Sequence, residues 1–234
     1  MTSPCLLALD TATETCSVAL LKDGAIFARG EAVGQRHSER ALPIVDAILR
    51  DNRTALGELD AIAFGAGPGS FTGLRIACGL AQGLAWGAGK PVIAVGNLLA
   101  LAARVFEEAP DCRSVLCAID ARMHEAYCAV YRRGPEILEV RAPQLARPGE
   151  LAALASGVDA VAGDALEAFP EVLSALGGRL VLPGLRADAT DIVRLAATDS
   201  MRARAVAPHE ARPVYVRDHV ALTTEERRLR AATA

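Results

Sequence analysis

The sequence is poor in lysine, histidine and aromatic residues. Of its 234 residues, 25 are lysine or arginine, yet Lys22 and Lys90 are the only lysines; 4 are histidine and 4% are aromatic. Because no lysine lies between Lys22 and Lys90, the glycine-rich stretch GAGPGSFTGLRIACGLAQGLA at 65–85 lacks the lysine of a P-loop. It also lacks the third glycine of a dinucleotide-binding fingerprint. The net charge of −3 argues against a protein that holds nucleic acid by itself, since such proteins usually carry a basic face.

Sequence patterns for metal, redox and membrane chemistry are missing as well. The 6 cysteines form no C-x-x-C pair, and no two of the 4 histidines share a helix face at close spacing. The stretch MTSPCLLALD at 1–10 has neither the basic region nor the long apolar segment of a signal peptide, and no apolar run of about 18 residues occurs. We therefore expect a cytoplasmic protein with reduced thiols, no metal site and no membrane association.

The serine of the glycine-rich stretch does not fit a serine hydrolase. Around Ser70 the order is Pro68-Gly69-Ser70-Phe71-Thr72, which is not the G-x-S-x-G elbow, and no histidine and aspartate can be assigned to it. Ser70 is instead predicted to cap the helix that follows.

The chain repeats itself at a distance of 110 residues. CLLALDTATETCSVALLKDGAIF at 5–27 aligns without a gap on VLCAIDARMHEAYCAVYRRGPEI at 115–137, which matches Asp10 with Asp120 and Gly24 with Gly134. Each copy reads as an apolar strand that ends in aspartate, a turn, a half-buried strand and a hairpin. A second echo relates LDAIAFG at 59–65 to VDAVAGD at 158–164.

Helical patterns separate these strands. They are predicted at 38–51, with Ser38 as N-cap, and at 72–87, 97–107, 164–176 and 189–205. The resulting order is βββαβα, an added βα and a second βββαβα. This order predicts an α/β fold with two lobes, 1–108 and 109–234, in which mixed sheets are flanked by helices. The charged end TTEERRLRAATA is predicted to be a frayed helix or a tail.

A duplicated βββαβα unit with an aspartate at the end of each first strand resembles the actin, Hsp70 and sugar-kinase superfamily. The stretches HSERALPIVDAIL, GPGSFTGLRIACGLAQGLA, DARMHEAY and PVYVRD narrow the resemblance to the bacterial TsaB (YeaZ) family. The resemblance implies a non-catalytic scaffold that binds TsaD and is required for threonylcarbamoyl transfer to the adenosine N6 next to the anticodon, in tRNAs that read A-starting codons. It further implies TsaE as a partner within the complex, a functional link to TsaC, tRNA contact only through the complex, and a homodimer when TsaD is absent.

The loops that hold a nucleotide in the superfamily are altered in this chain. The turns that begin at Asp10 and Asp120 contain no glycine, although backbone N–H groups need glycine to approach a phosphate closely. Gly163-Asp164 stands where an adenosine-binding Gly-Gly turn is expected, and the carboxylate would repel phosphate. We therefore expect no catalytic residue, no bound nucleotide and no cofactor. Asp10 and Asp120 are interpreted as structural strand ends, with a residual role at a shared nucleotide site left open.

Small residues recur every fourth position along the helix at 72–87, which allows another helix to approach closely. They either pack inside the lobe or form a partner surface together with the helix at 38–51. On the second alternative, the predicted partner-binding residues are Leu42, Val45, Leu49, Arg75, Ala77 and Ala81. A stand-alone ATPase or kinase with the actin-like fold is the alternative function.

Overall fold

A computed structural model describes residues 3–217 of the chain. Its strands are β1 (Leu6–Asp10), β2 (Thr15–Lys22), β3 (Ala25–Ala32), β4 (Ala61–Gly67), β5 (Val92–Gly96), β6 (Ser114–Asp120), β7 (Ala126–Arg132), β8 (Leu138–Ala146), β9 (Ala160–Gly163) and β10 (Leu180–Pro183). They form two five-stranded sheets with the same topology, β3-β2-β1-β4-β5 and β8-β7-β6-β9-β10. In each sheet the first three strands are antiparallel and the last three are parallel.

Within residues 3–217 the helices are α1 (His37–Asp51), α2 (Phe71–Ala88), α3 (Asn97–Glu108), α4 (Pro148–Leu154), α5 (Ala165–Ala168), α6 (Ala189–Ala196) and α7 (Asp199–Arg202), and 3₁₀ turns span Leu56–Glu58, Pro170–Ala175 and Pro208–Glu210. Helices α1 and α2 cover the outer face of the first sheet, and α4 and α5 cover the outer face of the second. Helices α3 and α6 contribute to a central core between the two sheets. We call β1–β5 with α1 and α2 the first lobe, and β6–β10 with α4 and α5 the second lobe.

The predicted actin-like fold is confirmed, with corrections to its details. The added βα unit occurs in both halves of the chain, because β10 and α6 follow the second βββαβα as β5 and α3 follow the first. The helix predicted at 164–176 is only α5 followed by a 3₁₀ turn, since Pro170 cannot continue an α-helix hydrogen-bond ladder. The pattern at 189–205 is divided into α6 and α7. The predicted division at 108/109 stays a prediction, and TTEERRLRAATA lies outside the described residues.

Of the two predicted helix caps, Ser70 is confirmed and Ser38 is wrong. Ser70 is the N-cap of α2, and its side chain accepts a hydrogen bond from the Gly73 amide at 3.3 Å. Ser38 is not a cap, because α1 already begins at His37 and Arg36 occupies the N-cap position without a side-chain bond. Pro43 lies inside α1 rather than in its first turn.

The repeat is not gap-free in three dimensions. Asp10 lies opposite Ser17 in the first hairpin, whereas Asp120 lies opposite Ala126 in the second, so the second turn is one residue shorter. A shift of one residue reverses which face of a sheet a side chain occupies. The match of Asp10 with Asp120 is therefore wrong by one position, and Ile119 is the structural counterpart of Asp10.

Core packing supports this corrected register. Leu6 and Ala8 of β1 face the central core, and the β6 residues that face it are Val115 and Cys117. This relation continues to Asp10 and Ile119, two residues further along each strand. The second echo keeps its alignment, since Leu6 pairs with Ala61 just as Val115 pairs with Ala160.

Within residues 3–217, no helix is both long and apolar enough to cross a membrane.

Candidate functional site: the interlobe cleft and the outer face of helix α2

The carboxyl end of β1 places Asp10 in the interior of the molecule. Its side chain is 1% exposed, and its Oδ1 atom accepts hydrogen bonds from Asn97 Nδ2 at 3.0 Å and from the Ala12 amide at 3.4 Å. Asn97 Oδ1 in turn accepts a hydrogen bond from the Gly67 amide at 2.7 Å. Asp10 thus connects the end of β1 to the start of α3 and, through Asn97, to the turn that leads into α2.

Burial raises the pKa of the Asp10 carboxyl to about 6, although the hydrogen bonds from Asn97 and Ala12 oppose that rise. The charged form is disfavoured because the carboxylate has left water without gaining a cation. Such a carboxyl serves as a buried structural link, and its environment is unfavourable for binding a further anion.

The glycines of the 65–85 stretch make room for protein atoms. A Cβ atom at Gly65 would lie 2.1 Å from Asp10 Oδ1, and one at Gly73 would lie 1.9 Å from the Thr11 carbonyl oxygen. The Ser70 amide already donates to the Ala12 carbonyl at 3.0 Å. The turn that begins at Asp10 is therefore packed against the chain's own backbone.

The second lobe presents a different set of groups to the cleft. Ile119 lines it in the position that corresponds to Asp10. Asp120 lies beside it, where its carboxylate accepts a hydrogen bond from the Arg122 amide at 2.8 Å and pairs with the Arg122 guanidinium at 3.0 Å. The Asp164 carboxylate accepts a hydrogen bond from the Asp120 amide at 2.9 Å and pairs with Arg186 at 3.1 Å.

The cavity found between the lobes is small. A cavity of about 20 Å³ lies among Ala12, Pro68, Asn97, Ile119 and Arg186. This volume is enough for one water molecule, whereas ligand pockets usually measure hundreds of Å³. In this arrangement, Asp164 and its ion pair with Arg186 close the side of the cleft where an adenosine-binding turn was expected.

The histidines within residues 3–217 do not form a metal centre. His37 Nε2 contacts the Thr13 carbonyl oxygen at 2.9 Å, and the His124 ring packs edge-on against Phe169. Within residues 3–217, no three His, Cys, Asp or Glu side chains converge as a metal site would require. The Ser70 side chain accepts its capping hydrogen bond from the Gly73 amide. Within residues 3–217 it forms no hydrogen bond with a histidine.

The structure separates the six predicted partner-binding residues into two groups. Leu42 is 49% exposed on α1, and Arg75 is exposed on α2. The other four residues are buried in the core between α1, α2 and the first sheet; these are Val45, Leu49, Ala77 and Ala81. The side chains of Ala77 and Ala81 therefore pack inside the lobe, as one of the two sequence-based alternatives predicts.

The outer face of α2 is lined by glycine. Gly79, Gly83 and Gly87 are exposed, and a Cβ atom at any of them would meet nothing within 4 Å. Each interior helical glycine costs about 1 kcal/mol relative to alanine, and no packing within the described residues explains that cost. Trp86, on the same helix, is 71% exposed.

Comparisons with known proteins agree on one relationship. The tRNA threonylcarbamoyladenosine biosynthesis protein TsaB of Escherichia coli is 40% identical over 228 residues, which cover 92% of this chain and 96% of that protein. The chain belongs to the TsaB family. Haemophilus influenzae TsaB is 52% identical over 122 residues, 52% of this chain and 51% of that protein. A family model described as "TsaD: tRNA N6-adenosine threonylcarbamoyltransferase" matches residues 30–221.

Solved structures of the TsaB (YeaZ) family share the fold. YeaZ from Pseudomonas aeruginosa has a TM-score of 0.80 at 37% identity and covers 91% of this chain and 99% of that chain. A Pseudomonas aeruginosa protein described as similar to peptidase YeaZ has a TM-score of 0.82 at 38% identity and covers 92% of this chain and 100% of that chain. Family membership gives this chain a role in tRNA threonylcarbamoyladenosine biosynthesis.

Sequence reasoning missed the contacts that Tyr215 makes with α2 and that Arg217 makes with the second lobe. Tyr215 lies with its ring 5.5 Å from that of Phe71, and its hydroxyl accepts a hydrogen bond from Arg75 at 3.1 Å. Arg217 forms a 2.7 Å ion pair with Glu125. The stretch PVYVRD carried part of the resemblance to the TsaB family, but neither its composition nor its spacing indicated these distant contacts.

Proposed function

We propose that this chain is the non-catalytic scaffold subunit that binds TsaD. In this role it is required for TsaD to transfer the threonylcarbamoyl group to the N6 atom of the adenosine adjacent to the anticodon, in tRNAs that read A-starting codons. TsaE acts with it through the complex, and TsaC has a functional link to it. The chain forms a homodimer when it is alone, contacts tRNA only through the complex and works in the cytoplasm.

The chain's own side chains at the interlobe cleft support the non-catalytic part of the proposal. Asp10 is used as an internal link, its counterpart in the second lobe is Ile119, and Asp164 closes the adenosine side with Arg186. An actin-like ATPase requires two phosphate-holding turns and room for a nucleotide between them. The cavity of about 20 Å³ is far smaller than the pockets that usually hold such ligands, which supports a non-catalytic role.

The exposed face of α2 supports the partner-binding part. Gly79 and Gly83 allow the backbone of another helix to approach closely, and their helix-destabilising cost is explained if a partner covers them. Exposed Leu42 and Trp86 provide apolar area on α1 and α2. The proposed surface therefore consists of Leu42 on α1 together with Arg75, Gly79, Gly83 and Trp86 on α2. Val45, Leu49, Ala77 and Ala81 support it from behind.

A reconstituted tRNA-modification assay tests the proposed role. TsaC, TsaD and TsaE from the same organism are combined with tRNA, threonine, bicarbonate and ATP, with and without this chain. We expect modification to collapse when the chain is omitted, and we expect no ATP hydrolysis by the chain alone. Equal modification without the chain would contradict the scaffold role, and ATP turnover by the chain alone would favour an actin-like ATPase.

Substitution of the exposed glycines tests the surface itself. Gly79→Leu and Gly83→Leu place side chains in open space and replace a poor helix former with a good one, so each variant should stay folded and gain about 0.5–1 kcal/mol of stability. The same variants should block pairing with TsaD, measured by sedimentation velocity. Gly149→Leu in α4 is the matched control, because Gly149 is also helical, exposed and free of neighbours. Unchanged pairing in both α2 variants would place the partner elsewhere.

A further inference from the structure

Residues 211–217, which we call the C-terminal strap, lie along the first lobe. The Ala211 carbonyl accepts hydrogen bonds from Gln82 Nε2 at 3.0 Å and from Cys78 Sγ at 3.5 Å, both on α2. The Val214 amide donates to the Ala66 carbonyl of β4 at 2.7 Å. The strap is therefore fixed to both a helix and a central strand of the first lobe.

An aromatic contact adds a further point of attachment. The Tyr215 ring packs against Phe71 at the start of α2, and the Arg75 guanidinium lies 3.9 Å above the centre of the Phe71 ring. Arg75 also donates to the Tyr215 hydroxyl at 3.1 Å. These contacts fix the strap to the first lobe at Tyr215. Two residues later, Arg217 contacts the second lobe.

Arg217 reaches the second lobe at the turn between β6 and β7. Its guanidinium forms an ion pair with Glu125 at 2.7 Å, in which the Arg217 side chain is only 12% exposed and that of Glu125 is 30% exposed. The same guanidinium lies 3.6 Å from the Met123 sulfur. Reduced exposure lowers solvent screening, so this pair holds its partners more firmly than a fully exposed pair would.

The turn that Arg217 contacts has an unusual backbone. Arg122, Met123 and His124 have φ angles of 62°, 55° and 60°, so three consecutive L-residues adopt the left-handed conformation. This conformation brings Cβ close to a carbonyl oxygen and is maintained only when the surroundings hold it. The turn closes with hydrogen bonds from the Glu125 amide to the Arg122 carbonyl at 3.1 Å and from the Ala121 amide to the Glu125 carbonyl at 2.9 Å.

We propose that the C-terminal strap is an interlobe latch, which holds the left-handed turn at 122–124 from an anchor on the first lobe through the ion pair of Arg217 with Glu125. Glu125 is the residue that closes the turn and also the residue that the strap binds. Release of the strap from Glu125 therefore lets the turn relax toward ordinary backbone angles. This device is internal to the chain and does not depend on the proposed partner.

Hydrogen–deuterium exchange of the turn amides tests the latch in the full-length chain. Arg217→Ala should accelerate exchange at the Ala121 and Glu125 amides at least tenfold, while the amides of β1 keep their protection. Arg212→Ala is the matched control, because Arg212 is an exposed arginine of the same strap and has no ion pair within residues 3–217. Exchange of the turn in Arg217→Ala that stays within twofold of the Arg212→Ala value would overturn the proposal.

A charge exchange separates the ion pair from general effects of substitution. Glu125→Gln should accelerate exchange of the turn as Arg217→Ala does. Arg217→Glu combined with Glu125→Arg should restore most of the protection that Arg217→Glu alone removes. Equal exchange in the single and double variants would show that the ion pair does not hold the turn.

Discussion

The ends of β1 and β6 differ although their sequences look alike. In the first lobe Asp10 is buried and bonded to Asn97, whereas in the second lobe Ile119 takes that position and Asp120 forms part of a network with Arg122 and Asp164. The cause is a hairpin turn that is one residue shorter in the second copy. Two copies of one motif can therefore direct their aspartates to opposite faces, and only one of them enters the interlobe core.

The helices that cover the outer faces of the two sheets differ in length. The first lobe has two long helices, α1 and α2, of 15 and 18 residues, whereas α4 and α5 of the second lobe have 7 and 4. A long helix can present one face to the sheet and keep a second face for another protein. This difference in length favours the first lobe for the proposed partner surface.

The largest expected effect separates buried from exposed positions on α1. Val45→Asp places a carboxylate in the core between α1 and the first sheet, where Val45 is 2% exposed, and should cost at least about 3 kcal/mol of stability. Leu42→Asp is the control on the same helix, since Leu42 is 49% exposed, and should change stability by less than about 1.5 kcal/mol. Chemical denaturation measures both, and equal effects would contradict the assigned orientation of α1.

The next effect tests the two strand ends directly. At pH 5, Asp10→Ala leaves the Asn97 amide group buried without its acceptor and should cost about 2 kcal/mol. Asp120→Ala removes a partly exposed carboxylate and should cost less than about 1 kcal/mol. Denaturation of the two variants at the same pH provides the comparison. A larger loss in Asp120→Ala would mean that the second aspartate, not the first, is the structural one.

A pH series sharpens the assignment of Asp10. Its pKa is raised from 3.8 to about 6, so the stability that the protonated form contributes is complete below pH 3.8 and is lost as the pH rises through 6. Asp10→Asn should therefore gain stability relative to the parent chain by up to about 3 kcal/mol between pH 4 and pH 7. The difference between variant and parent removes the contribution of Asp191, whose pKa burial also raises to about 6. A constant difference over this range would show that Asp10 titrates normally.

The smallest expected effect concerns the second-lobe network. Arg122 is 81% exposed in its pair with Asp120, so Arg122→Ala should change stability by less than about 0.5 kcal/mol. Thermal unfolding of this variant at low and high salt checks the prediction. A loss above 1 kcal/mol would mean that the exposed network of the second lobe is as important as the buried link of the first.

The sequence by itself determined most of the elements and their duplication. Continuous apolar runs such as LLALD predict buried strands, apolar spacing along 38–51 predicts a helix face, and the order of elements predicts the two similar sheets. The absence of glycine after Asp10 and Asp120 and the presence of Asp164 also predict an altered nucleotide site, which stays a prediction. These features are local, because they depend on periodicity and on backbone conformation within a few residues.

Only the tertiary structure decided which side chains face the cleft, the core or solvent. An ungapped alignment cannot detect that one turn is a residue shorter, because pairing across the hairpin sets the register. The same limit applies to Ala77 and Gly79, which look equally small in sequence but lie on opposite sides of α2, one against the sheet and one exposed. Likewise, the contact of Arg217 with Glu125 spans 92 residues and depends on how the lobes place the strap across the turn.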